Sequence, residues 1–321
     1  MSSTSSAFSS SSSSSSIKPV VINELAAFRR WRREQLLSGK TIGFVPTMGA
    51  LHDGHLALAK QAREQCDTVV MSIFVNPAQF APTEDLDKYP RTLDSDLAAI
   101  QRTFDASNSS EPVVVFVPKV SEMYPVGIAL ERSKQRGAFV EIVDQSHQME
   151  GSIRPHFFRG VATVVTKLLN AVQPEKAFFG QKDVQQCVVV RSLVRDLLIP
   201  TEIVVGETIR EHDGLAMSSR NVYLSPEDRA AAPVLYKALL AGQNVAKSAG
   251  ASSPVSRQAI LDAANAVISK EPRATLEYLS IADPDTLSEV DSMTDHGAIF
   301  SGAVKLGKTR IIDNVLLNFK F

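Results

Sequence analysis

Short, unbroken apolar runs that alternate with stretches of helical spacing leave this 321-residue chain few ways to fold. Thr41–Val45 (TIGFV), Thr68–Val75 (TVVMSIFV) and Val113–Val117 (VVVFV) are apolar at nearly every position, the pattern of strands covered on both faces. Leu56–Gln65 and Asp94–Thr103 lie between them with helical spacing. The alternation continues with Val161–Val172 as a helix ending before Pro174, then Lys176–Phe179 as a strand end. Val184–Leu198 is a long amphipathic stretch, and Thr201–Val205 is a further strand. Strands joined by helical crossovers predict an α/β fold, a doubly wound parallel sheet of the Rossmann-like, nucleotide-binding kind.

The texture changes after Ser225-Pro226. Pro226–Lys247 and Ser256–Lys270 read as two alanine-rich helices, and Leu276–Ala282, Ala298–Leu306 and Arg310–Leu316 read as strands. Residues 17–225 are therefore expected to form the nucleotide-binding domain, and 226–321 a smaller C-terminal α+β lid domain. The chain exceeds the ~100–200 residues usual for one domain, which fits such a division. Residues 1–16 are almost all serine and cannot bury enough apolar surface to offset the entropy of ordering, so a disordered tail is expected. Ser107–Glu111 and Val126–Gly137 read as surface insertions.

Lys and Arg number 34 against 35 Asp and Glu, which leaves no electrostatic footprint for nucleic acid. No apolar run reaches the ~20 residues that span a bilayer. Cys66 and Cys187 lie in apolar surroundings, outside any metal-ligand spacing, as reduced thiols do, so neither a metal site nor a disulfide is expected. Cytoplasm is the first expectation for the compartment. A mitochondrial address is the alternative, because the head of the chain is Ser-rich, acid-poor and followed by Arg29, Arg30, Arg32 and Arg33.

Four constellations carry chemistry. PTMGALHDGH, Pro46 to His55, follows a strand and opens a helix, where main-chain amides and the helix dipole favour anions. Gly49 and Gly54 allow close approach to a ligand, and His52 and His55 share one side of the first turn, suited to charge developing on a phosphate. The bland alternative is an incidental surface pair. In FVNPAQF, Asn76 and Gln79 offer neutral donors and acceptors beyond a strand end; Asn-Pro as a mere turn former is an equal reading. In FFGQKDVQQ, Lys182 suits a phosphate, Asp183 a ribose or a magnesium shell, and Gln186 lies one helical turn on. A helix start capped by Asp183 is the competing reading. In DGLAMSSRN, the hydroxyls of Ser218 and Ser219 and the guanidinium of Arg220 suit a triphosphate, although a Ser-rich turn with one exposed arginine looks the same.

Together these residues resemble the pantoate–β-alanine ligase (pantothenate synthetase) family, within the nucleotidyl transferases that share HIGH-like and KMSKS-like signatures. The stretches that carry the resemblance are PTMGALHDGH, FVNPAQF, YPRT at Tyr89–Thr92, HFFRGVATVVTKLLN from His156, FFGQKDVQQ and DGLAMSSRNVYLSPEDR, and more weakly RIIDN at Arg310–Asn314. The resemblance implies condensation of (R)-pantoate with β-alanine, at the expense of ATP and with Mg2+, through a pantoyl-adenylate, in a homodimer. It implies that Met48 to His55 line the ATP site with His55 as proton donor, and that Gly180, Lys182 and Asp183 hold the nucleotide. Ile209 would touch adenine, and Met217, Ser218, Ser219 and Arg220 would close over the phosphates. It implies that Gln79 and Gln186 bind pantoate; on the residues' own chemistry Asn76 is added to the substrate set, and His52, His55, Lys182 and Arg220 are expected to carry catalysis by stabilising charge on the phosphates. Arg220 is also a candidate for the β-alanine carboxylate. No protein metal ligand is implied.

The chain departs from the family pattern where Gln181 replaces a usual glutamate, and where HFRG becomes the longer His156–Gly160 stretch. Its additional stretches point to a eukaryotic, fungal member. Two other functions compete. A cytidylyl or adenylyl transferase for a phosphorylated substrate would share HxGH but need more cations; a non-catalytic nucleotide-binding module would bind without turnover.

Overall fold

The computed structural model describes residues 18–81, 86–105, 111–248, 255–292 and 296–321; the serine-rich head and residues 107–110 of the expected insertion lie outside them. The first body runs β1 (Val20–Ile22), α1 (Leu25–Leu37), β2 (Ile42–Thr47), α2 (Asp53–Gln65), β3 (Thr68–Ile73), α3 (Leu93–Asp105), β4 (Val114–Phe116), and the single turns α4 (Val120–Met123) and α5 (Glu150–Ile153). It continues through α6 (Phe157–Val172), β5 (Lys176–Gly180), α7 (Val184–Asp196) and β6 (Glu202–Gly206). The six strands form one parallel sheet in the order β1-β4-β3-β2-β5-β6.

Alternate residues of the buried runs feed two cores. Phe44, Val70, Val114, Ala177 and Phe179 pack with α1, α6 and α7, whereas Val45, Val69, Met71, Val115 and Phe178 pack with α2 and α3. Helices on both faces explain why the strands lack polar alternation. Chain order reverses across the β2–β5 pair, so the loops leaving β2 and β5 splay apart at their carboxyl ends, the usual ligand crevice of such sheets. α2 lies hard against the sheet: a Cβ on Gly43 would stand 2.9 Å from the Ala62 Cβ, and one on Gly206 2.3 Å from Leu58 Cδ2. Arg32 of α1, almost fully buried, donates to the carbonyls of Val172 and Gln173 and pairs with Glu175, which in turn accepts from Ile42 N.

The C-terminal unit contains α8 (Pro226–Ala231), α9 (Val234–Ser248), α10 (Arg257–Ile268) and an antiparallel sheet of β7 (Ala274–Ala282), β8 (Ala298–Leu306) and β9 (Thr309–Leu317), in that order. Leu215 and Leu224 join its core. The helix expected over Pro226–Lys247 is broken in two: Pro233 lacks the amide that would continue α8, and the chain turns there before α9. α7 ends at Asp196, short of the expected Leu198, which adopts a left-handed φ of 54°.

Candidate active site

The loop from β2 to α2 is built by an unusual cap. Gly49 (φ 84°) and Ala50 (φ 50°) turn the chain through left-handed geometry, and Asp96 of α3 holds that turn. Its carboxylate accepts from Ala50 N at 3.0 Å and Leu51 N at 2.8 Å, and Thr92 Oγ1 donates to it at 3.2 Å. His52 is then the N-cap of α2: Gly54 N donates to His52 Nδ1 at 3.2 Å, and His52 N donates to His55 Nδ1 at 3.3 Å. The first amides of α2 were expected to point outward to an anion; those of His52 and Gly54 are instead drawn onto the two imidazoles.

That cap has an electronic consequence. An imidazole nitrogen that accepts a hydrogen bond carries no proton, so the proton of each neutral ring resides on Nε2. Burial, with the neighbouring His52, lowers the His55 pKa to about 3, and burial and Lys182 lower that of His52. The rings stand 4.1 Å apart and both line the cavity at the switch point.

That cavity, about 200 Å3, brings together Met48, His52, Gly54, His55, Asn76, Gln79, Gly180, Lys182, Asp183, Gln186, Ile209, Met217, Ser218, Ser219 and Arg220. Of the stretch Met48 to His55, expected to line the ATP site, Gly49, Ala50, Leu51 and Asp53 stay out of the lining, Gly49 held off between Asp96 and Ile73. A cleft of about 720 Å3 between the two bodies shares Lys182, Asp183, Gln186 and Ser218–Arg220 with it. Asp183 sits at the start of α7 but its side chain makes no capping bond, so the capping explanation fails. Enclosure raises its carboxyl, and Lys182 and Arg220 more than offset this, leaving the pKa below its ordinary value.

Asn76 is 1% exposed and its amide is consumed within the protein by Tyr124, Ala78, Gly160 and Gln79. Gln79, by contrast, reaches Met48 Sδ with its Nε2 at 3.1 Å and lines the cavity. Val161, Val164, Val165 and Leu168 of α6 give the cavity an apolar wall.

Several contributors lie in YPRT and RIIDN, stretches that carry the resemblance without assigning their residues a role in the site. Tyr89 lines both the cavity and the cleft. Asn314 of β9, 1% exposed, donates to the carbonyls of Gln181 and Lys182 at 2.9 and 3.0 Å, and Gln181 Nε2 donates back to Asn314 Oδ1. Gln181, the departure from the family's glutamate, thus forms an amide pair in which it is the donor. Next to it Asp313 grips Arg210 through two bonds of 2.6 and 3.0 Å, and Arg310 does the same to Glu150 at 2.5 and 2.7 Å. β9 therefore fastens three segments of the first body. Among the described residues the only grouping with metal-ligand proximity is Asp283, Asp285 and His296, outside the cavity. Cys66 and Cys187 are free and buried. No helix of the described residues is long and apolar enough to cross a membrane.

Comparison with known proteins gives concordant matches. The family model of pantoate-beta-alanine ligase matches residues 20–316. The pantothenate synthetase of Chloroflexus aggregans is 48% identical over 92% of this chain and 99% of its own length, and that of Herpetosiphon aurantiacus 46% identical over 92% and 98%. The crystal structure of pantothenate synthetase from Thermus thermophilus superposes with a TM-score of 0.81 at 42% identity, over 93% of this chain and 99% of that one. The Francisella tularensis pantoate-beta-alanine ligase, crystallised with beta-gamma ATP and beta-alanine, superposes with a TM-score of 0.70 at 30% identity, over 94% and 99%. These relatives are bacterial and lend no support to a fungal source.

Proposed function

Since this chain belongs to the pantoate–β-alanine ligase family, we propose that its switch-point cavity activates pantoate with ATP and passes the acyl group to β-alanine. The observation that carries the reading is the two-sided chemistry of the cavity lining. Lys182, Arg220 and the imidazoles of His52 and His55 suit phosphates, while Gln79, Gln186 and the α6 wall suit a small hydroxy acid with a branched apolar centre.

In the first step a pantoate carboxylate oxygen attacks the α-phosphorus of ATP. A P–O bond forms, the bond to the bridging oxygen breaks, and pyrophosphate leaves with the electron pair. In the second, the β-alanine amine attacks the acyl carbon of pantoyl-adenylate, and AMP departs as the amine proton is lost to solvent. The protein contributes position and charge stabilisation and no covalent intermediate. His52 and His55 donate hydrogen bonds as neutral imidazoles; the depressed pKa of His55 argues against an imidazolium acid in this role. Lys182 and Arg220 bear on the phosphates, with Met48, Gly54, Gly180, Asp183 and Ile209 around the nucleotide and Met217–Ser219 covering it. Gln79 and Gln186 bind pantoate, and Asn76 acts behind Gln79. Arg220 remains the candidate for the β-alanine carboxylate.

Asp183, whose lowered pKa keeps it ionised, and Glu207 are the carboxylates of the cavity lining, and of these Asp183, beside Lys182 and Arg220, would hold Mg2+ together with substrate phosphates. The ion would neutralise charge on the leaving pyrophosphate. We read residues 17–225 as the ATP- and pantoate-binding body, 226–321 as its lid, the protein as a homodimer, and the compartment as cytoplasmic, a reading supported by two reduced, buried thiols. The test is AMP formation by purified protein from MgATP and D-pantoate, with and without β-alanine. Pantothenate and stoichiometric AMP with both substrates support the reading; no turnover of pantoate removes it.

A further inference from the structure

The polarity of a buried amide chain can be deduced wherever main-chain groups fix one end, because N–H only donates and C=O only accepts. Asn76 offers such a case. Ala78 N stands 3.3 Å from one atom of its terminal amide, which must be the oxygen, and Gly160 O stands 3.1 Å from the other, which must be the nitrogen. The Tyr124 hydroxyl, 2.6 Å from the same oxygen, therefore donates to it. The Asn76 nitrogen spends its remaining hydrogen on the Gln79 side chain at 3.0 Å, so the Gln79 atom facing it is Oε1. The Gln79 atom on the cavity side is then Nε2, whose only protein partner among the described residues is the weak acceptor Met48 Sδ at 3.1 Å.

The packing around this chain leaves it little freedom. α6 presses onto the 76–79 turn through Gly160, where a Cβ would lie 2.3 Å from Ala78 O and 2.6 Å from Gln79 Cα. Tyr124 is 4% exposed, stacks near Phe74 and carries the Lys167 ammonium 4.0 Å above its ring. Burial pushes its phenol up, away from ionisation, so it remains a donor.

We propose that Tyr124 is a positioning residue for substrate: acting through Asn76, it locks the Gln79 amide so that the cavity meets an N–H donor and selects a substrate with an acceptor oxygen, carboxylate or hydroxyl, at that point. The inference rests on the reading that this cavity takes pantoate, and assigns Gln79 a fixed sense within it. A substrate analogue carrying an ammonium group in place of that oxygen is excluded, because two donors would face each other in a buried site.

The test is Tyr124→Phe, which keeps the ring, its stacking and the Lys167 contact while removing the donor. One net hydrogen bond corresponds to a rise of about three- to tenfold in the KM for pantoate, with kcat and the KM for ATP within about twofold of the parent. A purely structural role would instead lower the melting temperature and move both KM values alike, and that result would overturn the proposal, as would an unchanged pantoate KM. Should Tyr124→Phe fail to fold, Gln79→Glu carries the test, because it keeps an oxygen toward Asn76 and presents another to substrate. Its pantoate KM should rise by at least about tenfold with the ATP KM steady; an unchanged pantoate KM overturns the assigned donor. Wild-type enzyme that turns over pantoate while Tyr124→Phe is silent sinks the relay alone, whereas wild-type enzyme inert toward pantoate sinks the function and the relay together.

Discussion

Replacing Asp96 with asparagine should damage the histidine loop from a residue that lies outside the cavity lining. Asp96 is 3% exposed and accepts from Ala50 N, Leu51 N and Thr92 Oγ1 at 3.0, 2.8 and 3.2 Å. Asparagine keeps the volume but turns one of the two oxygens into an NH2 group. Whichever way it sits, one main-chain donor then faces another donor. A hydrogen bond to a carboxylate contributes about 1.5–3 kcal/mol, and the retained bond weakens as its acceptor becomes neutral, so the loss should be about 2–4 kcal/mol. Part of it should appear as relaxation of the loop, because Ala50 sits at φ 50°, a geometry costing about 1–2 kcal/mol without support. Asp96→Asn should therefore lose stability in urea unfolding and slow adenylation of pantoate in single-turnover quench experiments, with the KM for ATP rising more than that for pantoate. A variant within about 0.5 kcal/mol of the parent, adenylating within twofold of its rate, would refute the argument that Asp96 holds the loop.

Three further outcomes follow from the geometry. Gly160→Ala should cost about 1–3 kcal/mol or more, because the new Cβ meets main-chain atoms that cannot swing away, and should raise the pantoate KM above any change for ATP; melting curves and paired KM values check both. Asn314→Ala strips two donors from the carbonyls of Gln181 and Lys182, and should cost about 1–3 kcal/mol and weaken ATP more than pantoate, as measured by denaturation and by nucleotide titration. His55 binds its proton less readily in the folded protein, near pH 3 against 6.5 for the free group, so the unfolded chain takes up protons first as pH falls. Stability from this residue is therefore full above about pH 6.5 and is lost progressively toward pH 3, and His55→Gln should flatten that slope in denaturant titrations.

The sheet was legible because its strands are buried on both faces, and a run such as VVVFV has no other comfortable home in a chain this long. β1 was not: it has three residues, pairs only at an edge and is exposed on two of the three, so no apolar run announces it. The break at Pro233 was there to be read, and the alanine-rich composition around it concealed a turn that proline enforces. Among site residues, those in strand-to-helix loops were recognisable because chemistry there is written as contiguous motifs. Asp96 reaches the site from 46 residues away and acts through main-chain atoms, whose side-chain partners leave no local pattern; Asn314, 132 residues from its partner, lies in RIIDN, a stretch that marked the family without revealing which carbonyls its amide would hold. Sequence alone also left two readings of Asn76 open; the buried contacts that use up its amide are long-range and separate them.

The most direct test of the account follows the oxygen that must cross from one substrate to the other. Pantoate labelled with 18O in its carboxylate should, on reaction with MgATP and β-alanine, deliver one labelled oxygen to AMP and retain the other in the pantothenate amide carbonyl. Label found in AMP establishes attack of the carboxylate on the α-phosphorus. Unlabelled AMP, with the label instead in phosphate or pyrophosphate, would contradict the adenylate route and the roles built on it.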